Sequence, residues 1–146
     1  MRLAGYAALF DRADASRDTI RPGAFARTLA ERTLSSLGAL PFYWQHRPEQ
    51  RIGWVDRVAE DARGLRVIAS LDNPAGRAAT MLALGAITGL SFGYRARAFR
   101  HSAAGRLLED IELLEVSLVT HPLQHAARVH LIAPPRDGEV AVAEGG

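Results

Sequence analysis

The sequence predicts a mainly β protein of the α+β class: a mainly antiparallel sheet or small β-barrel carrying two principal helices. Three observations lead there. Apolar stretches with strand-like alternation recur along the chain, several of them joined by short turn-forming segments. Only two stretches carry helical spacing or composition. The elements also lack the regular strand–helix–strand alternation of a doubly wound parallel sheet.

Residues 3–10 are a short apolar stretch suited to a strand, followed by the polar, turn-like residues 11–22. Phe25, Leu29 and Leu34 stand at near-helical spacing, and the helix they predict stops by Gly38. The aromatic run at 40–44 reads as a buried strand ending in the polar cluster 45–50. Residues 51–58 and 65–71 read as hairpin partners around 60–64, with Leu65, Val67, Ala69 and Leu71 alternating to one face. Asp72-Asn73-Pro74 is a helix-start signal ahead of the Ala-, Leu- and Met-rich residues 75–87, and Thr88-Gly89 ends that helix. Phe92, Tyr94, Ala96 and Ala98 alternate through the next strand, and 101–105 is a turn. The branched run at 115–119 is the strongest strand signal, closed by Pro122. Residues 124–129 are expected to form a helical turn. The folded domain is expected to occupy residues 1–132, with 133–146 as a flexible C-terminal tail.

A chain of 146 residues with 48% apolar and 23% charged residues suits one folded domain. The absence of cysteine excludes disulfides, cysteine–zinc sites and thiol nucleophiles. No apolar run has the length of a membrane span, and the first residues lack the apolar stretch of a secretory signal, so a soluble intracellular protein is the expectation. All 18 basic residues are arginines, interleaved with 16 acids for a net charge of +2. That scatter makes nucleic acid an unlikely partner, because nucleic-acid binders gather their basic residues on one face.

Gly89-Leu90-Ser91-Phe92-Gly93 fits the pattern G-x-S-x-G. In an α/β-hydrolase a strand precedes that serine and a helix follows it. Here the order is reversed, which disfavours an ester hydrolase of that fold, and a serine between glycines is commonly a turn residue. His46 stands directly after the aromatic strand, where a general base could be held in a fixed place, although a lone loop histidine is commonly a surface residue. Glu115 lies inside an apolar run. If that strand is internal, its carboxylate needs a partner, and an imidazole N–H serves; on an edge strand it would face water. Glu112 and Asp110 are nearby substitutes. His121, His125 and His130 cluster late in the chain, but Pro122 opposes a helix joining 121 to 125, so no metal site is expected. His121 is an alternative third member beside Ser91 and His46.

These motifs, in this order, resemble the caudovirus prohead serine proteases, relatives of the herpesvirus assemblins. The likeness rests on Gly5-Tyr6-Ala7-Ala8-Leu9-Phe10, on Ile20-Arg21-Pro22-Gly23-Ala24-Phe25 with Thr28-Leu29, and on Trp44-Gln45-His46 with Ile52-Gly53. It continues through Gly85-Ala86-Ile87-Thr88-Gly89-Leu90-Ser91-Phe92-Gly93-Tyr94, then Glu115-Val116-Ser117-Leu118-Val119-Thr120 and Pro122. The resemblance implies a herpesvirus-protease-like fold, a small antiparallel β-barrel ringed by helices. It implies a serine endopeptidase with Ser91 as nucleophile, His46 as base and Glu115 as third member, or a Ser-His-His arrangement through His121. Arg95, Arg128 or backbone N–H groups would serve the oxyanion, and no cofactor is required. The implied substrates are scaffold segments and the major capsid protein, cut inside the assembling capsid in the bacterial cytoplasm, together with the protease's own ends. Self-association is a further implied property. The all-arginine bias would suit a gene transfer agent particle as well as a phage or prophage. A non-catalytic capsid-assembly or scaffold-binding β-barrel module is the alternative that keeps the fold and loses the chemistry.

Overall fold

The alternation read from the sequence builds most of one sheet, and the computed structural model, which describes residues 1–34 and 39–133, shows how the strands connect. Among the described residues the order is β1 (Arg2–Leu9), β2 (Asp18–Ile20), α1 (Ala26–Leu34), β3 (Leu40–Trp44), β4 (Arg47–Glu60), β5 (Gly64–Leu71), α2 (Arg77–Ala83), β6 (Gly89–Ser102), β7 (Gly105–Val119) and β8 (Val129–Ala133). The sheet runs β2-β7-β3-β4-β5-β1-β8, with β6 paired to β7 off that path. No helix among the described residues is long and apolar enough to cross a membrane.

Strand β7 organises the molecule. Its whole length pairs antiparallel with β6. Its opposite edge takes β2 in parallel at 106–108 and β3 in parallel at 116–118. Helix α1 and the residues leading into it fill the gap between those two ladders: Ile111 N–H donates to Ala24 O at 2.9 Å, and Leu113 N–H donates to the buried Thr28 Oγ1 at 3.1 Å. Buried backbone groups must be paired, so this use of Thr28 completes the edge. The sheet is therefore mixed: the two short ladders to β2 and β3 are parallel, and the other strand pairings are antiparallel, in line with the mainly antiparallel sheet expected.

The sheet is open and does not close as a barrel. Where a barrel would zip shut, β6 meets the chain before β8 only through an isolated bridge, Gly89–Arg128. Leu90 N–H donates to Ala127 O at 2.9 Å and Val129 N–H to Thr88 O at 2.8 Å, and no ladder continues from there. Residues 121–128 are bent, and Pro122 offers no N–H. In place of the expected helical turn at 124–129 there is a single tight turn, with Ala127 N–H donating to Gln124 O at 2.9 Å, and no helix continues from it. Gln124 gives its side chain to β1, accepting from Leu9 N–H at 2.7 Å and donating to Leu9 O at 2.8 Å.

Other boundaries moved with local chemistry. The Asn73-Pro74 signal makes a turn, with Ala75 N–H donating to Asn73 Oδ1 at 3.1 Å, and α2 starts after it at Arg77. Gly85, at φ 70°, helps end that helix before residue 87. Strand β4 takes in most of the expected polar loop at 45–50, leaving only Gln45 and His46 as the turn. The polar segment 11–22 contains the short β2, and 129–133 forms β8, so Ala133 belongs to the sheet. The remainder of the expected tail lies outside the described residues, as does the end of the first helix near Gly38. The core beneath the sheet includes the fully buried Phe25, Phe42, Leu65, Leu90, Ile111 and Leu118.

Candidate active site

The β3–β4 connection sets the position of His46. Trp44 and Arg47 pair across it, and the two residues between them, Gln45 and His46, have φ of 53° and 59°. Two consecutive left-handed residues are the pattern of a type I′ hairpin turn. Neither residue is glycine, so each left-handed conformation costs about 1–2 kcal/mol. Hydrogen bonds to β7 and its end compensate. Gln45 N–H donates to Leu118 O at 3.0 Å, extending the β3–β7 ladder into the turn. Gln45 Nε2 donates to Thr120 Oγ1 at 2.6 Å, and Thr120 N–H donates back to Gln45 Oε1 at 3.1 Å. His46 N–H donates to Ser117 Oγ at 3.2 Å.

The β6–β7 register supplies the rest. Ser91 lies opposite Ser117, and Gly93 opposite Glu115. Directly opposed residues share a face, as do residues two apart on one strand, so Ser91, Gly93, Glu115 and Ser117 form one patch. The strand is internal, and Glu115 is only 8% exposed. Its carboxylate is paired: Oε1 meets His46 Nδ1, and Oε2 accepts from Ser117 Oγ at 2.6 Å. Gly93 makes room for that group, because a Cβ there would stand 2.5 Å from Glu115 Oε1. With Nδ1 engaged, Nε2 is the ring nitrogen left for proton exchange. Ser91 is buried, and its hydroxyl makes no hydrogen bond among the described residues.

The remaining candidates lie elsewhere. His121 is exposed in the bend after β7. Glu112 accepts from Arg97 Nη2 at 2.9 Å and Asp110 from Arg27 Nη1 at 3.1 Å. The Arg95 side chain is exposed, with Glu112 at 3.8 Å. Arg128 is anchored at the mouth of β6: Nη1 donates to Thr88 Oγ1 at 3.2 Å and Nε to His125 O at 2.7 Å. His130 packs edge-on against Tyr6 and His101 against Phe99. Among the described residues no cluster of three or more His, Asp or Glu side chains could hold a metal ion. The sequence reading did not find Ser117, Gly93 or the Gln45–Thr120 pair. The spacing Glu115-x-Ser117 could have signalled the first, since it puts a hydroxyl on the carboxylate's own face.

A buried carboxylate bound to an imidazole, with a serine on the adjoining strand face, defines a candidate serine hydrolase of the triad type. The chain belongs to the caudovirus prohead serine protease family, whose sequence profile matches residues 1–137. It is 31% identical over 132 residues to the prohead protease of Enterobacteria phage HK97, a match covering 86% of this chain and 57% of that protein. The chain thus spans a little over half the length of that relative. In structure it is similar to the bacteriophage T4 capsid assembly protease, with a TM-score of 0.65 at 11% identity over 81% of this chain and 80% of that one. It is also similar to the KSHV protease solved with a hexapeptide phosphonate inhibitor, with a TM-score of 0.60 at 15% identity over 88% of this chain and 63% of that one. The varicella-zoster virus protease gives a TM-score of 0.57 at 18% identity, covering 88% of this chain and 62% of that one. At these identities the solved structures establish the fold alone, a herpesvirus-protease-like arrangement with an open mixed sheet.

Proposed function

We propose that this chain is a serine endopeptidase of virus-particle maturation. It acts within the assembling capsid in the bacterial cytoplasm, on scaffold and major capsid protein segments and on its own ends. One observation carries the reading: the left-handed turn holds the His46 ring on buried Glu115, over the β6–β7 face that also bears Ser91. Family membership supports it.

In the proposed mechanism Nδ1 carries its proton toward Glu115, so Nε2 is unprotonated and can accept the Ser91 proton as Oγ attacks a peptide carbonyl. Glu115 keeps the ring oriented and stabilises its charged form. The same imidazole then returns the proton to the leaving amine. Hydroxyl and imidazole join when substrate engages the site, because catalytic hydrogen bonds commonly tighten only in the complex. Arg128, fixed beside Gly89 two residues from the nucleophile, and backbone N–H groups near the serine are the donors best placed for the oxyanion. Arg95 is a weaker choice, since its exposed side chain is drawn toward Glu112.

A fluorophosphonate probe tests the reading, because it labels only an activated serine. Wild-type protein is expected to be labelled on Ser91. Ser91→Ala and His46→Ala are expected to remain unlabelled, and to leave the major capsid protein uncut when co-expressed with it. Failure of folded wild-type protein to react would instead favour a non-catalytic assembly module, the reading suited to the unengaged Ser91 hydroxyl.

A further inference from the structure

Ser117 is fully buried, and the two hydrogen bonds of its side chain run to the two groups that the proposed mechanism needs held still. A serine hydroxyl has one proton to give and lone pairs to receive with. The backbone N–H of His46 can only donate, so in that 3.2 Å contact Ser117 Oγ is the acceptor. Its single proton then goes to Glu115 Oε2, 2.6 Å away. An ionised carboxylate only accepts, so Oε1 requires the proton on His46 Nδ1. With Glu115 ionised, the directions follow one after another, from the turn to the hydroxyl, to the acid and to the ring.

We propose that Ser117 is a positioning residue of this site: its hydroxyl ties the His46 backbone and the Glu115 carboxylate to one point of β7, and so holds the imidazole in the tautomer whose Nε2 is free to take a proton. The catalytic consequence rests on the protease reading; the tautomer itself does not. Ser117 faces Ser91 across the ladder without a hydrogen bond between their side chains among the described residues, and it acts through Glu115 and the turn. The bare Gly93 opposite Glu115 gives the carboxylate room to lie in this arrangement.

Histidine-labelled full-length protein, read by long-range proton–nitrogen NMR with His46 assigned through His46→Ala, reports the tautomer directly. Wild-type protein is expected to show the Nδ1–H form of His46, and Ser117→Ala a mixture of both tautomers. The second-order rate of fluorophosphonate labelling is expected to fall about 10- to 100-fold in Ser117→Ala, in line with the cost of slight misplacement of a catalytic group. Ser117→Thr retains the hydroxyl and is expected to hold the wild-type tautomer, and it keeps the test decisive should the alanine variant fold poorly. A folded Ser117→Ala with a pure Nδ1–H tautomer and an unchanged labelling rate overturns the proposal, as does a folded Ser117→Thr with mixed tautomers. If wild-type protein is not labelled at all, the protease reading falls, and the tautomer comparison still decides the role of Ser117.

Discussion

Glu115 is a carboxylate among Leu113, Val116 and Leu118, where an unpaired charge would be costly. Its neighbours answer that cost oxygen by oxygen, with His46 on one and Ser117 on the other. Glu115→Gln keeps the shape and removes the charge that would stabilise the imidazolium. Labelling and peptide cleavage are expected to fall by about 10²–10⁴, as for the equivalent change in other triads, while the thermal midpoint moves little. An unchanged rate would hand the third role to His121 or Glu112. Gly93→Ala is expected to cost activity as well, since its new methyl must displace the Glu115 carboxylate; comparing labelling rates of folded variants checks it. At this scale the sequence was informative where a residue broke its local pattern. A carboxylate inside an apolar run stood out, and so did a histidine after an aromatic strand. Ser117 did not, because serine in a strand becomes informative only once its facing neighbours are known.

The β3–β4 hairpin shows the same limit for elements. Its turn carries Gln-His, without the Asn-Gly or Asp-Gly that normally marks two left-handed residues. The sequence therefore reads as a loop, and the tightness comes from tertiary bonds to Leu118, Thr120 and Ser117. Gln45→Ala removes the reciprocal amide bonds to Thr120 while keeping the unfavourable backbone. Urea unfolding is expected to show a loss of about 1–2 kcal/mol, from two partly exposed hydrogen bonds. The β4–β5 hairpin was legible because its alternation is long and its loop is closed locally, with Asp61 Oδ1 accepting from Arg63 and Gly64 N–H. Strand β2 was not, since three residues carry no period and its strand character comes from pairing with β7.

For the molecule as a whole, fold class and the run of larger strands followed from alternation, whereas the mixed, open topology did not. Parallel pairing of β2 and β3 on one edge of β7 joins segments about 70 to 90 residues apart, beyond the reach of any local pattern. At the far end of that edge Asp18, nearly buried, holds β2 in place. It accepts from Arg106 Nε and Nη2, both at 2.8 Å, and from Tyr94 OH at 3.1 Å. The Arg106 hydrogen bonds, aided by Tyr94, hold the Asp18 carboxyl below its ordinary range despite burial. A depressed folded-state pKa gives stability that is present above about pH 4 and is lost as pH falls through the lower folded value. Burial, with the Asp18 charge, pushes the Tyr94 phenol up to about 12. That contribution is present below the ordinary phenol value and is lost as pH rises through the folded one. Asp18→Asn is expected to cost about 1–3 kcal/mol at neutral pH and to flatten the acid limb of the stability profile, as read by denaturant titration across pH. The central place of β7 also governs timing. During synthesis His46 and Ser91 leave the ribosome before Glu115, and until β7 follows, neither has the strand on which it rests. Under the proposed chemistry a growing polypeptide is inert, and bystander proteins are safe from it until β7 has been translated and docked.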